Sequence, residues 1–227
     1  NDTATASVRS ALSSARNNST GVSNTNYAYF GGGGSPSSVS VVDRIDYSSD
    51  TQNSIVRNNL LTEKTAVGST GNKTYSWFAG GLAGGYKNSS VDRLDYANDT
   101  STMSSRGPLS QRKSYPGDVG TNNFGYFAGS GNNAGESTID RINYSNDTAT
   151  ALVRCILTSN KDSNSACGNK NFGYFSGFYA GSSRIYRLDF SNDLINPFIR
   201  GFLSNSLYST AATGNSNFGY FGGGNPG

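Results

Sequence analysis

Hydrophobic and polar positions in this chain alternate in short bursts separated by turn residues, and no burst runs at a helical period. The stretch 138–144, Thr138-Ile139-Asp140-Arg141-Ile142-Asn143-Tyr144, alternates apolar and polar side chains as a strand does. Ser145-Asn146-Asp147 then supplies turn chemistry, because Asn and Asp hydrogen-bond their own backbone. Residues 150–157 form a second run, rich in β-branched and apolar types. Before these runs, 120–127 ends in the aromatic cluster Phe124-Gly125-Tyr126-Phe127, and after them 163–168 is built of small residues. The unit therefore reads as four strands: A (small), B (aromatic), C (Asp-Arg-Ile type) and D (ending in Arg and Leu). No stretch is left over for a helix.

The same unit recurs. The last Phe of the aromatic cluster is Phe30, Phe78, Phe127, Phe175 and Phe221, at intervals of 48, 49, 48 and 46 residues. Arg9, Arg57, Arg106, Arg154 and Arg200 keep the same beat. Strand C recurs at 42–47, 91–96, 139–144 and 186–190. A period in this range marks a solenoid, a propeller or an array, and four-stranded antiparallel units arranged radially are propeller blades. The expected fold is all-β, one propeller domain over 1–227. Its blades span 18–64, 65–113, 114–161 and 162–207, with a fifth shared by 208–227 and 1–16. Asn1-Asp2-Thr3 aligns with the C–D turn Asn98-Asp99-Thr100, so the N-terminal end is expected to supply strand D and the C-terminal end strands A and B. Strand C of that fifth blade is missing. In the first three blades 20 or 21 residues separate the last B-strand Phe from the turn Asp, against eight if the two ends are joined. Five positions are expected, with six or seven if sequence is absent. Asn1 opens the sequence, so an upstream segment is expected to have been removed.

In such a ring, alternate residues of strand B face opposite neighbours, so Tyr29 and Phe30 are expected to pack against different blades. Strand A lies nearest the axis, where only small side chains fit. The glycines after each Phe are expected to supply the left-handed backbone that leaves the strand.

Phe78 to Gly81, Asp92 to Tyr96, and Arg112 or Lys113 resemble the three landmarks of kelch-type repeats: an aromatic strand ending in Gly-Gly, an acidic-Tyr strand, and a basic residue near the last turn. A kelch repeat has Trp after its third strand, where this chain has Thr51, Thr100 and Thr148. The motifs Asn-Phe-Gly-Tyr-Phe and Asp-Arg-Ile-Asp-Tyr are also similar to the Asn/Gly-rich kelch-like arrays of marine bacteriophage proteins. That resemblance implies a structural part of a virus particle.

Composition narrows the chemistry. The chain is 34% hydrophobic, 15% charged and 12% aromatic, carries 29 glycines, and has a net charge of +3. This mild charge implies no nucleic-acid specificity, and no apolar run is long enough to insert in a membrane. Histidine is absent, which removes the usual general base, the commonest metal ligand and the His-dependent triads. No cofactor, metal or catalytic residue is expected. Cys155 and Cys167, on an outer and an inner strand, are expected to be free thiols. The repeated Asp43, Asp92 and Asp140 are expected to pair with Arg57, Arg106 or Arg154, the alternative being calcium coordination.

Two surfaces stand out as candidates. Tyr86, Phe178, Tyr179, Phe198, Phe202 and Tyr208 lie outside the B and C strands and form a candidate partner-binding set; the alternative is local repacking around Pro197. Arg16, Lys64, Arg112, Lys113 and Lys161 follow strand D in successive repeats and would form a cationic rim, attractive to anionic glycans, an acidic protein patch or a nucleic-acid backbone; the alternative is that they are simply solvated. The expectation is a non-enzymatic interaction propeller that joins other structural proteins of an assembly, at a virion or extracellular surface, with a cytoplasmic site as the alternative. A glycan-binding adhesin that takes cell-surface glycan is the second functional reading.

Overall fold

The computed structural model describes residues 7–130, 137–158, 165–177 and 182–226. Four sheets of four antiparallel strands follow one another along the chain. The first holds β1 (Thr20–Ser23), β2 (Tyr27–Gly31), β3 (Val41–Asp46) and β4 (Ile55–Asn59). In the second, β5 (Gly68–Gly71) and β6 (Tyr75–Ala79) are followed by a small hairpin, β7 (Leu82–Ala83) with β8 (Tyr86–Lys87), and then by β9 (Val91–Asp95) and β10 (Ser104–Arg106). The third is β11 (Gly117–Gly120), β12 (Phe124–Ala128), β13 (Thr138–Asn143) and β14 (Leu152–Ile156). The fourth is β15 (Ser165–Gly168), β16 (Phe172–Ser176), β17 (Arg184–Asp189) and β18 (Phe198–Phe202). Each sheet runs A-B-C-D, and the described helical residues are single 3-10 turns between C and D.

The fifth position is a correction. After β19 (Leu207–Tyr208), only β20 (Ala211–Gly214) and β21 (Gly219–Gly222) pair there, and β22 (Asn225–Pro226) pairs with β19. So there are four complete blades, with two strands of a fifth. Residues 7–16 form no strand, yet they track the edge of the first blade as a D strand would. Ser54 N–H donates to Ala11 C=O (3.0 Å), as Ala151 N–H does to Pro108 C=O (2.8 Å). Arg9 meets Asp50 through two contacts of 3.1 Å. Among the described residues no strand C joins these pieces into one sheet.

Alternation along strand B sorts the core into seams, as expected. Tyr29 and Phe78 share one cluster, Trp77 and Phe127 a second, and Tyr126 and Phe175 a third. The ring immediately before the last Phe thus faces the next blade, and the last Phe faces the previous one. The A strands pack side by side in the order β1, β5, β11, β15, β20. Strand B leaves its blade at a left-handed residue: Gly32, Gly80, Gly129, Gly177 and Gly223 have φ between +65° and +76°. At Gly80 a Cβ would also stand 2.7 Å from Lys113 O, so glycine is needed twice over.

Candidate functional site

The repeated charges form two interlocked sets, neither of them a surface ring. The first set crosses each seam. Asp99, which ends the 3-10 turn of the second blade, accepts from Tyr29 Oη (3.0 Å), Arg44 Nη1 (2.8 Å), and Arg57 Nε and Nη2 (3.0 and 2.8 Å), all in the first blade. Asp193 repeats this with Tyr126 (3.0 Å), Arg141 (2.7 Å) and Arg154 (2.9 and 2.7 Å). Asp147 takes Trp77 Nε1 (2.8 Å) and Arg93 (3.1 Å), with Arg106 at 3.5 Å. Burial pulls Asp99 and Asp193 upward, but the arginines and the tyrosine hydroxyl outweigh it and hold both below the ordinary carboxylate range. Above each carboxylate a ring of the later blade stacks on the B-strand ring of the earlier one. These pairs are Tyr96 on Tyr29 (5.2 Å), Tyr144 on Trp77 (3.9 Å) and Phe190 on Tyr126 (5.0 Å).

The second set closes the loops between blades. Arg16 meets Asp43 at 2.8 Å, Lys64 meets Asp92 at 2.9 Å, and Lys113 lies 3.7 Å from Asp140; every side chain is at most 2% exposed. The same carboxylates accept backbone N–H groups from Ser13, Leu61 and Ser110, which end the preceding D segment. Two expectations are corrected here. Arg16, Lys64 and Lys113 are not a cationic rim, because each folds inward onto a buried carboxylate. Likewise Asp43, Asp92 and Asp140 do not pair with Arg57, Arg106 and Arg154, which reach across the seam instead. Of the remaining rim residues, Arg112 is exposed and Lys161 lies outside the described residues. The neighbouring Asp46 and Asp95 cap the 3-10 turns by accepting from Ser48 and Ala97 N–H.

The candidate aromatics are dispersed. Tyr86 is 79% exposed on the hairpin of the second blade, while Phe198 (44%) and Phe202 (65%) lie on the outer strand of the fourth. Tyr208 is half-buried in β19, and Phe178 and Tyr179 lie outside the described residues.

A residue the sequence reading passed over sits on the axis. The A strands enclose a cavity of about 360 Å³ reached by residues of all five positions, among them Thr20, Val67, Asp118, Ser165 and Thr210. Gly21, Ser69, Asp118, Ala166 and Ala212 occupy one register position opposite the last Phe of strand B, and only the third is charged. Burial pushes the Asp118 carboxyl up to about 7, against the pull of a hydrogen bond from Ser69 N–H. Aligning the five A segments would have exposed this exception.

Both cysteines are free and buried, as expected. Burial raises Cys155 to about 12 and Cys167 to about 11, so neither carries a thiolate near neutral pH. Among the described residues no group of three or more His, Cys, Asp or Glu could hold a metal ion. No described helix is long and apolar enough to cross a membrane.

No protein-family model matches the chain, and no curated protein matches it in sequence. The solved structure of YjhT is similar, with a TM-score of 0.75 and 10% identity over 91% of this chain and 72% of YjhT. At that identity the likeness is one of fold alone.

Proposed function

We propose that this propeller is a non-enzymatic scaffold that holds a partner protein within a larger assembly, as part of a virus particle in capsid decoration or in tail and host attachment. The outer strand of the fourth blade carries the reading. There Phe198, Ile199 and Phe202 are 44%, 41% and 65% exposed, and Leu194 and Ile195 in the preceding turn are 64% and 58% exposed. The outer strands of the first and third blades also expose Ile55, Val56, Leu152, Val153 and Ile156, and that of the second is Ser-Ser-Arg; the fourth adds two phenylalanine rings to its edge. Exposed large apolar groups gathered on one edge mark a contact surface, and an unpaired outer strand offers backbone groups to a partner as well. The kelch-like and phage-array motifs support the placement on a virion surface. The experiment is Phe202→Asp: the variant keeps its melting temperature and fails to enter the native particle. Normal incorporation of that variant removes the proposal.

A second reading, glycan binding, is favoured by Tyr86, whose ring stands 79% exposed beside Gly84 and Gly85. Binding on a glycan array that is lost in Tyr86→Ala and kept in Phe202→Asp would select it.

A further inference from the structure

We propose that the axial cavity is a binding site for a small organic cation, a short primary ammonium ion carrying a hydroxyl group. Its charge pairs with the Asp118 carboxylate, and its remaining N–H and O–H donors go to the Thr20 and Thr210 oxygens. Three observations converge on it. The first is a carboxylate without a cation. Asp43, Asp92, Asp99, Asp140, Asp147 and Asp193 are all buried, and each is met by an Arg or Lys side chain. Asp118 accepts only a backbone N–H, from Ser69, and among the described residues no Lys or Arg forms an ion pair with it. The fold has no need of an acid there, since Gly21, Ser69, Ala166 and Ala212 fill the same place in the other four A strands. A charge taken out of water calls for a partner, and the wall position of Asp118 lets that partner enter from the cavity.

The second is the direction of the hydrogen bonds. A hydroxyl has one proton to donate and two lone pairs. Ser69 Oγ donates to Gly21 C=O (3.1 Å), so in its 2.7 Å contact with Thr20 the threonine is the donor. Ser165 Oγ donates to Ser176 C=O (3.4 Å), so Thr210 is the donor in the contact between those two hydroxyls. Thr20 and Thr210 thus line the cavity with their protons already used and present acceptors. An ammonium group is the converse, with three donors and no acceptor.

The third is size and charge together. About 360 Å³ lies at the lower end of the range for small-ligand sites. Calcium takes six to eight oxygen ligands, commonly with several carboxylates, whereas Asp118 is the one acid among the residues lining this cavity. A single carboxylate balances a single positive charge. Val67, Pro116, Ala166 and Ala212 line the same cavity, and they suit a short carbon body better than a hydrated ion.

The test is isothermal titration calorimetry on the full chain at pH 8, where most Asp118 carboxyls are ionised. The probe is 4-aminobutan-1-ol, with butane-1,4-diol as its neutral counterpart and calcium chloride as the metal control. The expected result is saturable binding of the amine alone, weakened about tenfold or more in Asp118→Asn. Phe202→Asp, on the outer edge of the fourth blade, leaves it unchanged, so this site and the proposed partner surface stand or fall separately. A melting curve of Asp118→Asn in the same buffer shows that it is folded, and the amine-against-diol comparison on the parent chain needs no variant. No saturable binding of the amine, equal binding of the diol, equal affinity in Asp118→Asn, or tighter binding of calcium overturns the proposal.

Discussion

The seam between the second and third blades and the cleft after the fourth are built from the same parts and end in different states. In the seam Trp77 is fully buried, Tyr144 lies on it at 3.9 Å, and Asp147 gathers the indole N–H with Arg93 and Arg106. In the cleft Tyr174, Arg187 and Arg200 stand in the same places, with neither an aromatic lid nor an ion-paired acid among the described residues. The earlier blade thus provides half of each interface in advance, and the later blade decides whether that half is buried. In repeat proteins stability is close to a sum of unit and neighbour terms, and here the neighbour term resides largely in one aromatic ring and one carboxylate.

Breaking the seam gives the largest expected effect. Asp147→Ala leaves a buried indole N–H and two arginines without their acceptor and should cost about 3–5 kcal/mol in chemical denaturation. Arg200→Ala, in the open cleft, should cost less than about 0.5 kcal/mol by the same measurement. Equal losses would show that burial in the seam does not set the worth of these groups. A smaller contrast separates a loop-closing cation from a surface one. Lys64→Ala removes the partner of Asp92 at 2.9 Å and should cost roughly 3 kcal/mol, while exposed Arg112→Ala should stay within about 0.5 kcal/mol.

The smallest effect concerns a position where the blades differ in sequence rather than in neighbour. Asp118 titrates near 7 in the folded chain, against about 3.9 in an unfolded one. Between those values the folded state holds a proton that the unfolded state releases, so stability falls as pH rises through that window. Asp118→Asn should therefore gain about 1–2 kcal/mol over the parent at pH 8 and nothing at pH 4, the figure being reduced because the carboxyl opens onto the axial cavity. Asp99 and Asp193 act with the opposite sign. They are held below the ordinary range, so their stabilisation is present near neutral pH and is lost on acidification through their folded values. Paired urea melts from pH 4 to 8 separate the two contributions, and an unchanged slope in Asp118→Asn would remove the assignment.

The architecture was legible because it is written in spacing. Phe30, Phe78, Phe127, Phe175 and Phe221 mark the beat, and the alternation of Tyr29 with Phe30 foretold which side of each blade a ring would serve. The partners of the charges were not legible, for a physical reason. A periodic sequence defines each position only within its unit, so an Asp that bonds its own blade looks the same as one that bonds the blade before. Asp99 and Asp147 read as turn formers, which they are, and that role hid their grip on arginines about 40 residues earlier in the chain. Lys64 and Lys113 sit among polar turn residues, and nothing in their local sequence tells that Asp92 and Asp140 lie beneath them. The fifth blade reads in the sequence as shared between the ends, but among the described residues no third strand joins the two portions into one sheet.

Among the described residues the stacked ring and its carboxylate reach backward, from a later blade to an earlier one, and the reverse contact is not made. Each unit is therefore polar in the way a link of chain is: it has a hook at one end and an eye at the other. Such head-to-tail joints close into a circle or run on as an open array according to the turn taken at each step. Because every hook fits every eye, removing one whole unit would leave its former neighbours able to join.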